Sequence, residues 1–321
     1  MTGLIARRLA QAPLIILVIY TVTFALAWAI PGSAVLSDED KFVSPEVLAA
    51  IEARYNLDNP AKFYVDYLAG VTGIRYASQR LQGEQPTTPI IDFGPSFKYE
   101  DWTVNTILRD SLPVSVTLGL LAILIATVTG LLAGVVGAIK PNSSADFLTL
   151  IVALIGISLP SFVNGTILLM VFPVWLNIGQ VGAWGRIGDL WLPAVTLSLP
   201  FAAYIARLTR LGMIETLHSD YVRTARAKGC TNWSVVMKHA LKNAFLPVLS
   251  YLGPALAFAM TGSFVVEKVF NVPGIGQHFV DAVRSKDLFM IMGVTLVFST
   301  LLIFMNLIVD VLYRWVDPRI E

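Results

Sequence analysis

The residue types that most often perform covalent or metal chemistry are few and scattered in this sequence. Its three histidines, His218, His239 and His278, form no H-E-x-x-H zinc motif, and Cys230 is the only cysteine. No serine stands in a G-x-S-x-G nucleophile motif, and the dipeptide Gly-Lys of a phosphate-binding P-loop never occurs. We therefore expect no enzyme active site, and no metal or cofactor bound by this chain.

The stretch DYVRTARAKG, residues 220–229, is the strongest functional candidate. Ser219 or Asp220 can cap a short helix, and Gly229 suits the left-handed position that ends one. The small residues Ala225, Ala227 and Gly229 would let another backbone approach closely, between charged neighbours. The candidate contact residues here and in the next helix are Asp220, Tyr221, Arg223, Thr224, Ala225, Arg226, Ala227, Lys228, Gly229, Trp233, His239 and Leu241.

A second helix is predicted directly after this glycine, capped by Thr231 or Asn232. The helical spacing places six residues on one apolar face: Trp233, Val236, Met237, Ala240, Leu241 and Ala244. Together the two helices form what we name the 212–244 loop. Basic side chains could rest it on anionic lipid headgroups, but the pattern favours a rigid knob for a protein partner. A DNA-binding helix-turn-helix is disfavoured because the loop is tethered at both ends.

The elements that position this loop are membrane spans. Hydrophobic residues make up 55% of the 321 residues and charged residues only 14%, against about 25% in soluble domains. The net charge of +1 argues against a basic nucleic-acid binder. Because about 20 apolar residues cross the hydrocarbon core, six spans are predicted, at about 9–30, 114–138, 147–172, 191–211, 245–266 and 289–312.

The distribution of Lys and Arg predicts that both termini are cytoplasmic. In that orientation the outer short loops carry four basic residues, Arg186, Lys268, Arg284 and Lys286. The inner side carries twelve: Arg7, Arg8, Lys140, Arg207, Arg210, Arg223, Arg226, Lys228, Lys238, Lys242, Arg314 and Arg319. Arg207 and Arg210 are interpreted as inner-side anchors.

The chain divides into an N-terminal helix (1–30), an extracytoplasmic insertion (31–113) and a five-helix core (114–321). The first apolar run exceeds the 7–15 residues of a signal-peptide core, so a retained helix is expected. The insertion has predicted helical pieces, one capped by Ser44, and a Gln-, Pro- and Thr-rich stretch. It could cap the bundle or dock an external partner, and the sequence favours neither.

With these residues in place, the chain resembles the permease subunits of bacterial ABC importers. That family carries E-A-A-x-x-x-G followed by I-x-L-P. Ala225, Gly229 and Leu241 match this pattern, whereas Arg223 replaces Glu and Lys242 replaces Pro. These departures are typical of the dipeptide, oligopeptide and nickel branch of the family, which this chain resembles and in which the sequence DYVRTARAKG is common.

Other segments resemble the same branch, and the end-to-end pattern is that of its B-type permease. They are GISLPSFVNGTILLMVF (156–172), FVVEKVFNVPGIGQ (264–277) and NLIVDVLYRWVDPRI (306–320). About 18 residues near 74–91 look inserted. The motif residues are Glu267, Phe270, Pro273, Gly274 and Gly276 in the outer loop, and Asp310, Asp317, Pro318 and Arg319 at the C-terminus.

The resemblance implies an all-α permease that forms half of a heterodimeric pore for di- or oligopeptides in the bacterial inner membrane. It further implies a second permease, two ATPases that use ATP and Mg, and an external binding protein, with the 212–244 loop as the coupling helix. Nickel or another small solute is the alternative cargo.

A weaker alternative is an ion-coupled secondary transporter. Such proteins keep ionisable residues near the bilayer midplane, whereas these spans keep theirs near the ends. Glu267 and Lys268 are interpreted as anchors of the outer loop at the membrane interface, with a gating role as the alternative, and Asp310 as an anchor near the inner end of the last span. Pro273, Gly274 and Gly276 are interpreted as an ordered turn with unusual backbone angles.

Overall fold

The computed structural model describes residues 2–32, 44–86, 88–99, 101–261 and 263–316, without the side chains of 2–4 and 315–316. In these residues the regular structure is helical, apart from one antiparallel bridge between Pro95 and Thr103. The all-α prediction is confirmed.

The N-terminal part of the chain contains one long helix and three short ones. Ser44 accepts a hydrogen bond from the Val47 amide, as predicted, and Asn59 caps the third helix in the same way through Lys62. The helix over residues 74–81 begins before the Gln-, Pro- and Thr-rich stretch (78–89) and extends into its first four residues. These helices are α1 (Thr2–Ala29), α2 (Pro45–Arg54), α3 (Pro60–Val71) and α4 (Ile74–Leu81).

The remaining helices include most of the apolar runs. They are α5 (Val104–Ile139), α6 (Ser144–Ser158), α7 (Ser161–Leu169) with a π-helical end (Met170–Trp175), a 3-10 turn (Ile187–Asp189), α8 (Trp191–Leu217), α9 (Asp220–Ala227), α10 (Asn232–Ser234) with a π segment (Val235–Ala240), α11 (Leu241–Met260), α12 (Phe264–Phe270), α13 (Ile275–Arg284) and α14 (Leu288–Val316).

Five helices in the described residues are long and apolar enough to cross a membrane, and a bent pair makes a sixth candidate. The five are Ile5–Ala29, Val104–Ile139, Ile187–Leu217, Asn232–Met260 and Leu288–Arg314. The second, third and fifth of these helices contain predicted spans in full, and the first ends one residue before the predicted span 9–30 does. The fourth helix starts thirteen residues before the predicted span 245–266 and ends at Met260. The apolar run continues past Met260, but α12 is a separate helix.

The third predicted span, 147–172, is not straight. Ser144–Ser158 and Ser161–Trp175 meet at a bend of 108°. Pro160 explains the break, because proline lacks an amide proton and disfavours helical angles in the residue before it. Leu159 is accordingly extended, at φ −85° and ψ 130°.

The chain forms two compact units. One comprises Thr2–Pro113 and Gly274–Thr300, and its core contains a set of packed aromatic rings. Phe63 and Phe289 have ring centroids 5.2 Å apart, and the Tyr67 hydroxyl donates to the Phe289 carbonyl. Rings at these distances stabilise a core beyond the area that they bury.

A buried carboxylate fixes an irregular segment within this unit. Asp287 accepts a hydrogen bond from the Met290 amide at the start of α14, and also from the Ser96 hydroxyl (2.6 Å) and the Phe97 amide (3.0 Å). Burial raises the pKa of Asp287, and these hydrogen bonds oppose the rise. One side chain therefore holds the 96–97 turn against the helix.

The second unit comprises Val114–Pro273 and the chain from Leu301 onward. Its central helices approach closely through small residues on α5. A methyl group added to Gly130 would lie 2.7 Å from the Ala202 carbonyl oxygen, and one on Gly134 would lie 2.6 Å from that of Ala206. Glycines four residues apart thus let α5 lie directly on α8, as is common between membrane helices.

Candidate functional site

The 212–244 loop begins with α9, which ends as the sequence predicts. Gly229 has φ +82°, its amide donates to the Arg226 carbonyl, and the Cys230 amide donates to the Ala225 carbonyl. This hydrogen-bond pair is the Schellman motif, which requires a left-handed residue at the glycine position. At the other end, Ser219 is the cap residue by backbone position, but its hydroxyl bonds to the Thr216 carbonyl instead of to α9.

One face of α9 is buried within the loop. Val222 and Ala225 pack with Val235, and Leu217 and Cys230 lie against them. The small size of Ala225 therefore serves packing inside the loop, and the approach of a partner's backbone at Ala227 and Gly229 stays a prediction. The predicted contact residues that are exposed are Asp220, Tyr221, Arg223, Thr224, Arg226, Ala227, Lys228, Gly229 and Trp233.

The second predicted helix has the expected cap but a different register. The Thr231 hydroxyl accepts from the Ser234 amide, and the helix then passes through the π segment directly into α11. Leu241 donates to the Val236 carbonyl, five residues back. This longer hydrogen-bond step shifts the apolar face, so Val235 is buried while Trp233 is 71% exposed. His239 and Leu241 are partly buried.

Polar contacts join α9 to this continuous helix. The Tyr221 hydroxyl donates to the His239 carbonyl (3.3 Å), and the Asn243 side-chain amide donates to the same hydroxyl (2.6 Å). Asp220 and Arg223 form an ion pair, but both are mostly exposed, so its contribution to stability is small.

An apolar cluster ties the 212–244 loop to the ends of the long helices. Met213 on α8 is fully buried against Val236, Ala240 and Ala244, and Ala138 from α5 completes the cluster. Close packing of this kind transmits displacement because it leaves little free volume. The exposed face of α9 is therefore carried on a rigid base.

A second ionic contact, which the sequence does not reveal, lies near the same ends. Arg210 on α8 donates two hydrogen bonds to Asp146 in the first turn of α6, at 2.5 and 2.7 Å. The Asp146 side chain is 2% exposed. Arg210 is therefore a partner in a buried ion pair, contrary to its interpretation as an inner-side anchor, whereas Arg207 is exposed. The sequence contained one indication of this pair, because an acidic residue and a basic residue stand at the predicted inner ends of two spans.

The PGIG segment is ordered differently from the prediction. Gly274 is extended at φ −96°, and Gly276 is buried inside α13. The left-handed residue is Asn271, at φ +54°, which ends α12. Phe270 is buried against Gly165 of α7, while Pro273 is exposed.

Glu267 is not an interface anchor, because its side chain is fully buried. One of its carboxylate oxygens accepts a hydrogen bond from the Ser115 hydroxyl of α5, 2.7 Å away. Lys268, the next residue, is exposed. The carboxylate therefore links α12 to α5, which neither the hydropathy nor the spacing indicated.

The C-terminal motif is described only in part. Asp310 is partly buried near the end of α14, and Asp317, Pro318 and Arg319 lie outside the described residues. Across the residues that the structure describes, no three His, Cys, Asp or Glu side chains are grouped as metal ligands.

Comparison with known proteins gives the family. Residues 126–321 match the family model "Binding-protein-dependent transport system inner membrane component", and residues 1–119 match its N-terminal counterpart. The chain is 41% identical to the oligopeptide transport system permease protein OppB of Salmonella typhimurium, over the full length of both. It is 40% identical to the dipeptide transport system permease protein DppB of Bacillus subtilis, over 95% of this chain and 94% of that protein.

Solved structures show the same fold at low sequence identity. A chain of the MetNI methionine ABC transporter aligns with a TM-score of 0.56 and 18% identity, covering 66% of this chain and 97% of its own. An amino acid ABC transporter aligns with a TM-score of 0.50 and 15% identity, covering 66% and 94%. The chain therefore belongs to the inner membrane components of binding-protein-dependent transport systems, and is a multi-pass permease with the ABC importer fold.

Proposed function

We propose that this permease forms half of the pore of an ATP-driven importer of peptides. The full-length similarity to oligopeptide and dipeptide permeases carries the proposal. The substrate class rests on the names of these relatives. The orientation with both termini in the cytoplasm belongs to the same proposal.

The partners are a second, homologous permease, two ATP-binding subunits and an external substrate-binding protein. ATP and Mg are bound by the ATP-binding subunits, since this sequence has no P-loop, and this chain holds no cofactor. The buried face of α9 packs on Val235, and the next residue, Val236, belongs to the buried cluster with Met213 and Ala138. The exposed charged face of α9 is therefore suited to receive a mechanical displacement.

The coupling step follows from this geometry. ATP hydrolysis moves the ATP-binding subunits, the α9 face moves with them, and the buried cluster passes the movement to α5, α8 and α11. Packed helices respond by switching between discrete arrangements rather than by bending continuously, which gives alternating access from the two sides of the membrane.

The test is purification of the tagged chain from its native membrane in mild detergent, followed by reconstitution in liposomes. We expect a second permease and P-loop ATPases to copurify, and ATP-dependent uptake of an isotope-labelled mixture of short peptides once the binding protein is added. Uptake of nickel instead of peptides would overturn the substrate. Transport by the chain alone, driven by an ion gradient, would overturn the ATP-driven mechanism.

A further inference from the structure

The Asp146–Arg210 ion pair is a largely buried charged contact within the second unit. Two nitrogens of Arg210 bind the two carboxylate oxygens of Asp146, and the Asn142 amide adds a third hydrogen bond at 2.8 Å. The side chains are 2% and 19% exposed for Asp146 and Arg210 respectively. Paired planar groups of this kind fix both distance and orientation.

Three membrane helices meet at this pair. Asp146 belongs to the first turn of α6, Arg210 to the inner half of α8, and Gly137 to the end of α5. A methyl group added to Gly137 would lie 2.9 Å from a carboxylate oxygen of Asp146 and 3.4 Å from the Arg210 side chain. The pair is therefore packed directly against the α5 backbone.

Farther along the two helices, α6 and α8 have no comparable directional contact among the described residues. There, a methyl group added to Gly156 would lie 3.2 Å from the Leu199 carbonyl oxygen and 3.6 Å from the Ala203 methyl group, so this approach is close but apolar on the α6 side. A cavity of about 420 Å³ opens between α5, α6 and α8, lined mainly by small and aliphatic side chains such as Ala133, Ala153 and Ala202. Apolar contacts around such a space resist sliding weakly, because dispersion forces have no preferred direction.

Arg210 is also close to the 212–244 loop along the chain. It lies seven positions before the last residue of α8, Leu217. Between them, Met213 is fully buried in the cluster that carries the loop. Any displacement of the loop therefore reaches Arg210 through a packed helix.

We infer that the Asp146–Arg210 pair is the link that makes α6 follow α8 when the 212–244 loop moves. Both are positioning residues, since they hold α6, the first half of the bent α6–α7 pair, to α8, the helix that moves with the 212–244 loop. The inference rests on the proposed ATP-driven function. It assigns a role to a contact that no family motif in this sequence includes.

The first test measures peptide uptake per ATP hydrolysed in the reconstituted importer, with the same labelled peptide mixture. The double variant Asp146→Asn with Arg210→Met removes both charges, so no lone charge remains buried. We expect it to assemble and hydrolyse ATP while uptake per ATP falls at least about fivefold, the lower end of typical coupling between distant sites. Arg207→Met, which removes an exposed charge one turn away on α8, is the matched control and keeps the wild-type ratio.

A second test reads the movement directly. Spin labels at Phe147 on α6 and Leu211 on α8, both exposed, are introduced in a Cys230→Ser background. We expect the distance between labels to be unchanged between the nucleotide-free and ATP-trapped importers when the pair is intact. In the double variant, we expect it to change or broaden on trapping.

The outcomes separate this inference from the function on which it rests. A wild-type importer without ATP-dependent uptake would refute the proposed function. A wild-type importer that couples, with a double variant that keeps its uptake per ATP and its label distance, would show that the pair is only structural. If the double variant fails to assemble, Arg210→Lys decides, because it retains the charge but loses the two-pronged geometry; an unchanged ratio there overturns the inference.

Discussion

The backbone angle of Gly229 determines where α9 ends, and so fixes the exposed face of α9. Its φ of +82° is left-handed, yet a methyl group added there would meet nothing within 4 Å. A substitution thus acts through the backbone and not through a clash. Left-handed geometry costs most residues about 1–2 kcal/mol, whereas Asn adopts it more readily.

We therefore predict that Gly229→Val lowers uptake per ATP hydrolysed and that Gly229→Asn lowers it much less. Valine favours another turn, which displaces α9 from Val235, while asparagine retains the Schellman geometry. The measurement is the same transport ratio in liposomes, with membrane insertion checked by protease protection. Equal ratios for the two variants would show that the turn geometry does not matter for coupling.

His278 on α13 gives a pH-dependent prediction. Burial lowers its pKa below the usual 6.5, Asp281 opposes this, and Lys98 adds to it. The ring lies edge-on to Tyr99, 5.1 Å between centroids. A histidine with a lowered folded pKa binds protons more tightly in the unfolded chain, so its contribution to stability is complete above about pH 6.5 and is lost as the pH falls below it.

We predict that the melting temperature of the wild type falls relative to His278→Gln when the pH is lowered from about 7.5 to about 5.5. Because His278 is partly solvated, the relative shift should be small, ~1–3 °C. Thermal unfolding of both proteins in one detergent checks it. A constant difference across this pH range would contradict the prediction.

At the scale of elements, the π segment Val235–Ala240 sets the orientation of α9 and α10 relative to α11. The helix is continuous from α10 to Met260, so α9 is oriented through the contacts of Tyr221 with His239 and Asn243. Successive residues of an α-helix are rotated by about 100° around the helix axis. The one extra residue in a π turn therefore changes which face α10 presents relative to α11.

We predict that deleting Lys238 converts the segment to a regular α-helix and abolishes coupling. Lys238 is exposed, so the effect comes from register and not from the side chain. Uptake per ATP should fall at least about tenfold, as expected when a signalling element loses its orientation. Lys238→Ala, which keeps the register, should retain the wild-type ratio; a similar loss in both variants would point to the lysine itself.

At the scale of the molecule, the distribution of positive charge predicts the orientation in the membrane. The inner side should contain the 212–244 loop, and the outer side the segment with α2, α3 and α4. Leu81 is 89% exposed and Lys238 is exposed, so both positions should be accessible to reagents.

We predict that Leu81→Cys, in a Cys230→Ser background, reacts with a membrane-impermeant maleimide added to intact spheroplasts. Lys238→Cys should react only after the membrane is permeabilised. The opposite pattern would invert the topology and place the 212–244 loop out of reach of ATP-binding subunits.

Much of this fold could be predicted from local sequence. Span positions follow from long apolar runs, the end of α9 follows from Gly229, and the cap of α2 follows from Ser44. The absence of a P-loop is likewise a property of the chain alone. Each of these features depends on residues that are close together in the sequence, within one turn or one span. Composition and spacing are therefore enough to predict them.

Other features were decided only by tertiary packing. Asp146 and Arg210 are 64 residues apart, and Ser115 and Glu267 are 152 apart. The span predicted over 147–172 bends by 108° at Pro160, and Trp233 is exposed although it was predicted on the apolar face. Whether a charge is buried depends on which helices lie beside it, and that is determined by the free energy of the packed bundle rather than by the residue's neighbours in sequence.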